Sequence, residues 1–263
     1  MEKIVFQGTT SNHPLIVSDQ YPLRSLRFTG ESRQSCINLQ QPHLLQLAYT
    51  RWMMSALLFS GPPKRILLLG LGGGALVHFL LHHHPKLQID AVEKSKAVVE
   101  LAKDYFAIPA QANLHIHNQD AESFCTKTKD QSRRYDLILL DIFGADAMAP
   151  PMNRQDFHND LCMLLTKKGV IAANLWGADK TEFTRARTAM QTGCNRHVLQ
   201  LKVPEKGNII CLGFRQLITR RILSQARNNI PASEQHYGLP FRRYWKRLLL
   251  DNPILFFRLL MPK

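Results

Sequence analysis

Four glycines that follow a short apolar run are the first residues of this chain whose types and spacing suggest chemistry. The apolar run is Ile66 to Leu69, and the glycines are at positions 70, 72, 73 and 74. Glycine has no Cβ, so its backbone can approach a ligand closely, and a helix that begins after such a turn offers free N–H groups and a positive dipole end. The spacing from Gly70 to Ala75 fits G-x-G-x-x-A and predicts a nucleotide-binding corner. The alternative is a tight turn that binds nothing.

Three acidic residues, Glu93, Asp120 and Asp141, each follow an apolar segment with the pattern of a buried strand. Because ligands of an open parallel sheet bind outside the carboxyl ends of the strands, we expect these carboxylates beside the glycines. Glu93 stands 23 residues after Gly70, near the ~20-residue spacing at which an acid reaches ribose hydroxyls. Asp120 is placed to accept from an adenine amine or to cap the helix that follows it, and Asp141 to act as a general base. A hydride-transferring dinucleotide enzyme would need neither aspartate.

The elements that must hold these residues alternate between strand and helix from residue 64 onward. This alternation predicts an α/β fold, a doubly wound and mainly parallel sheet with helices on both faces. Before it, short alternating segments in residues 2–40 predict a small N-terminal antiparallel β-sheet. The expected strands are 66–69, 87–92, 113–117, 135–140 and 170–175, with a closing antiparallel pair at 197–201 and 208–214. The expected helices are 43–59, 75–81, 95–106, 153–167, with Gly169 past its end, and 180–191.

Composition narrows the class of protein. The 263 residues are 45% apolar, which supports a large core, yet no apolar run approaches the ~20 residues of a membrane span. The five cysteines are scattered without a C-x-x-C pair, so we expect no metal site and no disulfide framework, and a reducing, cytoplasmic setting. The formal charge of +14 favours anionic partners and is unfavourable for an enzyme whose substrate is a polycation.

Two further stretches carry residue types that suggest binding. Residues 216–263 mix basic and aromatic side chains, which suits nucleic acid or a membrane surface. No RNA-binding signature accompanies them, so the favoured interpretation is a helix that packs back on the domain with its charges solvated. The run His82-His83-His84 suggests a metal cluster, but successive side chains on a helix point in different directions, so a solvated helix end is expected.

Several motifs taken together resemble the spermidine synthase-like aminopropyltransferases, which share the class I methyltransferase fold. They are YTRWMM from Tyr49, RILLLGLGGG from Arg65, DAVEKSKAVV from Asp90, and YDLILLD from Tyr135 followed by LLTKKGV from Leu164. The resemblance implies a seven-stranded sheet of that fold type, a small N-terminal sheet and a homodimer. It divides the chain into a β-sheet domain at 1–42, a Rossmann-like nucleoside-binding catalytic domain at 43–215 and a basic extension at 216–263.

The resemblance also implies which residues bind the donor, a sulfonium compound that carries an adenosine. The glycine turn would cradle the amino-acid-derived part of the donor, one strand-end acid would hold the ribose, and the next acid with its neighbour would hold the adenine. In that order, these residues are Gly70, Gly72 and Gly73, then Glu93, then Asp120 and Ala121.

The acceptor side is implied in the same way. Asp141 matches the family's catalytic acid, which orients and deprotonates a small-molecule amine such as putrescine. That amine displaces methylthioadenosine from decarboxylated S-adenosylmethionine. Tyr49 is a candidate for orienting the amine, or a buried aromatic with a bonded hydroxyl. Asp146 is a candidate for the missing second catalytic-loop acid, and Trp176 for a wall of the pocket or a packing residue.

Departures from the family pattern leave alternatives open. The family's glycine loop usually holds an acid that helps bind the donor's aminopropyl ammonium group, and its catalytic loop reads D-x-x-D. This chain has Gly73 or Gly74 in the first place, Gly144 in the second, and Arg51 near the usual acidic entry motif. Ordinary S-adenosylmethionine therefore stays open as co-substrate of a methyltransferase acting on an anionic or nucleic-acid substrate. A non-catalytic nucleoside-binding protein is the third possibility.

Overall fold

Four strands near the N-terminus form a small antiparallel sheet in chain order. The structure is a computed structural model that describes residues 2–10, 13–28, 33–143, 148–194 and 198–260. The strands are β1 (Lys3–Thr10), β2 (His13–Gln20), β3 (Leu23–Arg27) and β4 (Arg33–Asn38). Leu15 and Val17 of β2 and Leu26 of β3 are buried, because alternate side chains of a strand point to the same face. The predicted N-terminal sheet is confirmed.

Seven strands form the second sheet over the residues that the structure describes. They are β5 (Arg65–Leu69), β6 (Gln88–Glu93), β7 (Leu114–Asn118), β8 (Tyr135–Leu140), β9 (Leu165–Trp176), β10 (Val198–Lys202) and β11 (Asn208–Phe214). Their order is β10-β11-β9-β8-β5-β6-β7, in which β11 runs antiparallel to β9 and β10, and β5 to β9 are parallel. The doubly wound sheet and its closing antiparallel pair are as predicted. The strand order reverses between β5 and β8, so a crevice lies at their carboxyl ends.

Strand β5 shows why the apolar run of the sequence belongs at the centre of this sheet. Ile66 and Leu68 pack into the core on one face, while Leu67 and Leu69 pack into the core on the other. All four side chains are fully buried. A strand covered on both faces has no polar alternation, which is the pattern that the sequence carries.

Helices cover both faces of the seven-stranded sheet. They are α1 (Ala48–Met53), α2 (Leu57–Ser60), α3 (Ala75–His83), α4 (Lys96–Tyr105), α5 (Ala121–Thr128), α6 (Gln155–Leu164), α7 (Lys180–Gly193), α8 (Arg220–Asn228), α9 (Ile230–Tyr237), α10 (Phe241–Asp251) and α11 (Pro253–Leu260). The helix predicted at 43–59 begins only at Ala48 and is divided into α1, a 3-10 turn and α2.

The helix predicted at 153–167 was too long, because β9 already begins at Leu165. Gly169 therefore lies within a strand and does not end a helix. A Cβ at Gly169 would approach the carbonyl oxygen of Tyr135 to 2.9 Å, so the close pairing of β8 and β9 accounts for this glycine.

The basic C-terminal segment folds into α8 to α11 and packs back on the domain, which agrees with the favoured interpretation. Phe241, Tyr244 and Leu248 of α10 are buried. The ring of Tyr244 lies 4.7 Å from the ring of Trp52 in α1, measured between centroids. Among the described residues, no helix is long and apolar enough to cross a membrane.

The three consecutive histidines lie at the end of α3, as predicted, but they are not fully solvated. His82 is exposed, whereas His83 and His84 are half-buried against α9. The Nε2 atom of His84 lies 2.7 Å from the hydroxyl oxygen of Tyr237. Within the described parts of the chain, no group of three or more His, Cys, Asp or Glu side chains is arranged to hold a metal ion.

Candidate active site

A cleft at the carboxyl ends of β5, β6 and β8 brings the glycine turn and all three strand-end acids together. Gly70, Gly72, Glu93, Asp120, Ala121 and Asp141 all line this cleft. Its opposite wall comes from the small N-terminal sheet. The residues of this wall are Phe28, just after β3, and Gln34 and Ser35 of β4. The N-terminal sheet therefore covers the crevice that the strand order creates.

The backbone of the glycine turn is held against the strand that carries Asp141. Gly70 has a φ of +94°, and a Cβ on it would lie only 2.1 Å from the carbonyl oxygen of Asp141. Gly72 has a φ of +53° and faces Ser35 of β4. Both features require glycine, because other residues are strained at such angles.

Gly73 does not face the cleft, contrary to the prediction for the three glycines as a group. It is not among the residues that line the cleft, and a Cβ on it would meet the ring of Phe106 at 2.6 Å. Gly73 thus allows the turn to pack closely on Phe106, and the turn lines the cleft through Gly70, Leu71 and Gly72.

The Glu93 carboxylate links the glycine turn to the start of α4. Its Oε2 atom accepts from the backbone N–H of Leu71 at 3.1 Å, and its Oε1 atom accepts from the backbone N–H of Ser95 at 2.9 Å. Ser95 caps α4, as predicted, by accepting from the N–H of Val98. Each carboxylate oxygen has a second lone pair, so Glu93 can still accept from a ligand hydroxyl in the cleft.

Asp120 caps a helix, which is one of the two roles that the sequence left open, and it also lines the cleft. Its Oδ1 atom accepts from the backbone N–H groups of Glu122 and Ser123, so Asp120 is the N-cap of α5. Its Oδ2 atom lies 3.7 Å from the Lys94 ammonium, and 38% of the side chain is exposed. One oxygen of Asp120 is therefore used by the helix and the other is available to the cleft.

Asp141 lies at the end of β8, and its carboxylate meets two polar side chains. Its Oδ1 atom accepts from the amide nitrogen of Asn174 at 2.9 Å. The single proton of the Tyr49 hydroxyl can go to either of two acceptors, this carboxylate or the carbonyl oxygen of Gln34, which is 3.2 Å from the hydroxyl oxygen. Burial raises the pKa of the Asp141 carboxyl to about 6, although hydrogen bonds from Asn174 and Tyr49 lower it and the nearby charge of Glu93 raises it.

Asn174 is a site residue that the sequence analysis missed. It lies on β9 and is almost fully buried, and its carbonyl oxygen accepts from the amide of Asn208 on β11 at 3.0 Å. This second bond fixes the orientation of the Asn174 amide, so its nitrogen points to Asp141. The sequence feature that could have identified Asn174 is its position as the one polar residue within the apolar run from Val170 to Leu175.

Two other residues singled out in the sequence, Trp176 and Arg51, lie away from the cleft. Trp176 does not line the cleft; its ring packs over Gly207 and the residue is 40% exposed. Arg51 does not line it either, because its guanidinium donates to the carbonyl oxygens of Leu45 and Gln46. Arg51 is therefore not one of the described residues that a cationic acceptor in the cleft would meet. Asp146 and Gly144 lie outside the described residues.

The charge of the cleft is opposite to that of the whole chain. Among its described lining residues, the charged side chains are three carboxylates and the ammonium of Lys94. The formal charge of the chain is +14. A cationic ligand is thus attracted locally, which removes the difficulty that the overall charge presented for such a substrate.

A family model, described as the spermine/spermidine synthase domain, matches residues 46–200. This chain belongs to the spermine/spermidine synthase family. Among curated relatives, the polyamine aminopropyltransferase of Chromobacterium violaceum is 29% identical over 237 residues, which cover 90% of this chain and 89% of the relative.

Solved structures confirm the fold. A probable spermidine synthase from Corynebacterium glutamicum has a TM-score of 0.70 at 19% identity and covers 95% of each chain. Human methyltransferase-like protein 13, solved with SAH, has a TM-score of 0.63 at 23% identity and covers 75% of this chain and 93% of its own. These likenesses show the fold shared by the two kinds of transferase.

Proposed function

We propose that this protein is a polyamine aminopropyltransferase, which moves the aminopropyl group of decarboxylated S-adenosylmethionine to an amine such as putrescine and releases methylthioadenosine. The observation that carries the proposal is the position of Asp141. Its carboxylate is held by two polar side chains beside the glycine turn, in a cleft that also contains Glu93 and Asp120. Membership of the family supports the same reaction.

The reaction is an in-line displacement at carbon. The amine arrives protonated, and Asp141 orients it and accepts the proton that it must lose. The amine nitrogen then forms a bond to the propyl carbon beside the sulfonium sulfur. The carbon–sulfur bond breaks, its electron pair stays on sulfur, and neutral methylthioadenosine leaves. Because the sulfonium already activates the carbon, the protein contributes mainly position and proton removal.

Donor binding is proposed for the other half of the cleft. Gly70 and Gly72 present backbone that no side chain shields, Glu93 binds the ribose hydroxyls, and Asp120 with Ala121 binds the adenine. The available lone pairs of Glu93 and the free oxygen of Asp120 support these roles. Tyr49 helps to orient the amine, since its hydroxyl lies beside the Asp141 carboxylate. Roles for Gly73, Asp146 and Trp176 in substrate binding stay predictions.

The test is calorimetric binding of methylthioadenosine, decarboxylated S-adenosylmethionine and S-adenosylmethionine, followed by an assay with putrescine. We expect all adenosyl compounds to bind and the decarboxylated donor alone to support transfer to putrescine. Methyl transfer from S-adenosylmethionine would instead establish the methyltransferase, which the glycine at position 73 in place of an acid favours. Binding without either transfer would show a non-catalytic homologue, and binding of NAD alone would overturn the ligand class.

A homodimer and a cytoplasmic setting belong to the same proposal. The five cysteines, all within the described residues, are free and buried, which suits a reducing compartment. Sedimentation of the purified chain checks the oligomeric state. A nucleic-acid substrate is less favoured, because the carboxylates of the cleft would repel phosphates.

The maximal transfer rate is expected to fall as the pH drops through about 6, because protonated Asp141 cannot accept a proton.

Replacing Asn174 by Ala removes a hydrogen bond to the ionised carboxylate of Asp141, so the midpoint of the profile of kcat against pH should rise by roughly one pH unit. Asn208→Ala should shift the midpoint less, in the same direction. The control is Asn113→Ala, since Asn113 binds backbone carbonyls of Pro85 and Leu87 away from the cleft. An unchanged midpoint in Asn174→Ala would contradict the role of this amide.

The Asp120→Ala variant is expected to bind methylthioadenosine about tenfold more weakly, because the adenine amine loses a charged acceptor. The same change removes a helix cap, which by itself costs about 1 kcal/mol of stability. Asp179→Ala is the matched control, because Asp179 caps α7 through the same two kinds of bond and does not line the cleft. Calorimetry measures the affinity of both variants for methylthioadenosine. If both variants bound it equally weakly, Asp120 would act only as a helix cap.

A further inference from the structure

The C-terminal segment carries a large share of the positive charge of the chain. Residues 216–263 contain nine Lys and Arg against two Asp and Glu, so half of the formal net charge of +14 lies in less than a fifth of the sequence. Both acids are already paired with bases of this segment. Glu234 lies 3.5 Å from Arg242, and Asp251 lies 2.7 Å from Arg247. These two pairs involve only two of the nine basic residues of the segment, Arg242 and Arg247.

Helix α10 directs part of this charge away from the protein. Its inner side, which includes Tyr244 and Leu248, is buried against the domain. Its outer side carries the exposed side chains of Arg242, Arg243 and Lys246. The helix is thus amphipathic, with the basic stripe opposite the buried one.

Exposed apolar side chains follow these basic residues along the chain. Leu250 is four residues after Lys246 on α10 and is 71% exposed. Ile254 and Phe257 are 70% and 63% exposed, and residues three apart lie on one side of a helix, here α11. The helix is anchored by Phe256, which is buried with its ring 5.7 Å from that of Trp245. The fold itself therefore holds these large apolar side chains in water.

We propose that this surface docks on an anionic lipid membrane. The surface, the α10–α11 face, consists of Arg242, Arg243, Lys246, Leu250, Ile254 and Phe257. Its arginine and lysine side chains would contact lipid phosphates. Leu250, Ile254 and Phe257 would enter the boundary between headgroups and acyl chains, which is how interfacial helices bind. The protein would lie on the membrane without crossing it. This inference does not depend on the proposed reaction.

Two other occupants fit the α10–α11 face less well. Nucleic acid would contact the basic side chains and could stack on Phe257, but the other two exposed apolar side chains, Leu250 and Ile254, offer neither hydrogen bonds nor stacking surfaces to a nucleotide. A second copy of the chain carries the same charge of +14, so it would bring like charges to this basic surface. An anionic lipid surface satisfies the charge and the apolar group together.

Flotation of the purified full chain with lipid vesicles tests the proposal. We expect binding to vesicles of phosphatidylcholine with phosphatidylglycerol, weakening as salt is raised, and no binding to phosphatidylcholine alone. The double change Ile254→Ser and Phe257→Ser should weaken binding at least tenfold at low salt. Lys246→Glu should weaken vesicle binding about twenty-five-fold. Each unit of charge near an anionic surface contributes roughly a fivefold factor, and this substitution changes the charge by two units.

The matched control is Lys168→Glu, which makes the same change of charge at an exposed position of β9. It should alter vesicle binding no more than about twofold. Circular dichroism and transfer activity should be unchanged in all variants, since none of these residues lines the cleft.

Four results would overturn the membrane proposal. The folded chain could ignore anionic vesicles, or bind them equally well after the Ile254 and Phe257 changes. Alternatively, the chain could fail to bind vesicles while Phe257→Ser dissociates a dimer in sedimentation, which would assign the α10–α11 face to a second copy. Preferential binding of a DNA fragment that the serine changes do not affect would assign the face to nucleic acid.

Discussion

The Asp141→Asn variant is expected to lose aminopropyl transfer by a factor of about a hundred to ten thousand, while it binds methylthioadenosine with nearly unchanged affinity. Asparagine keeps the size of the side chain and can still accept from the Asn174 amide, so the cleft keeps its shape. It cannot accept a proton from the amine, and general-base catalysis of this kind contributes a factor of that order. Steady-state kinetics and calorimetry measure the two quantities separately.

Stability provides an independent check on this variant. Because the pKa of Asp141 is raised from 3.8 to about 6, the folded chain holds this proton more tightly than the unfolded chain does. The contribution of Asp141 to folding is therefore most favourable below pH 4 and is lost as the pH rises through about 6. Asparagine has no charge to bury, so the Tm of Asp141→Asn at pH 7.5 should equal or exceed that of the wild-type chain.

The control for Asp141→Asn lies at the other end of the same strand. Asp136 accepts from the backbone N–H groups of Lys64 and Arg65, and it does not line the cleft. Asp136→Asn should keep the wild-type transfer rate. Full transfer by Asp141→Asn would remove the assignment of Asp141 as the base.

The Gly70→Ala variant should be less stable by about 3 kcal/mol and should lose most of its donor binding. A non-glycine residue at positive φ costs about 1–2 kcal/mol, and the added Cβ must also move away from the carbonyl oxygen of Asp141, 2.1 Å distant. For a chain of this length, such a loss lowers the Tm by about 6–12 °C. The added Cβ would also push the backbone of Asp141, the proposed base. A shift of about 1 Å in a catalytic group can slow catalysis a hundredfold, so the transfer rate should fall as well.

The loss of stability in Gly70→Ala has two contributions, the backbone cost at positive φ and the contact of the added Cβ with Asp141. Gly238→Ala is the control that measures the first alone. Gly238 also has a positive φ, +64°, but a Cβ on it meets no atom within 4 Å. It should show the backbone cost of about 1 kcal/mol without any loss of ligand binding or transfer. If both variants behaved alike in thermal unfolding and calorimetry, the contact between Gly70 and Asp141 would have no part in the site.

The sequence analysis predicted which glycines and acids would lie near one another, because the patterns that mark them are local. The run from Ile66 to Leu69, the glycines after it and the acids at strand ends each need only short-range patterns and the rule that parallel strands share a carboxyl edge. The structure brings Glu93, Asp120 and Asp141 to one cleft with Gly70. The dual position of Asp120, as helix cap and cleft residue, was also visible as a pair of alternatives.

The surroundings of Asp141 could not be predicted in this way. Asn174 lies on β9 and Asn208 on β11, so the bond from Asn174 to Asp141 and the bond from Asn208 to Asn174 both depend on strand order and register. The direction of a side chain at a strand end or in a turn is also set by its neighbours. Thus Gly73 packs on Phe106, Trp176 on Gly207, and Arg51 binds backbone carbonyls instead of facing the acceptor.

By itself, the sequence determined the α/β fold, the glycine turn and the acids that meet at its edge, because periodicity and spacing act within single elements. Only the tertiary structure decided which polar groups surround Asp141, which glycines line the cleft and which side of the basic helices meets solvent. These depend on contacts between residues far apart in the chain, and the geometry of such contacts follows from how the elements pack, which no local pattern records.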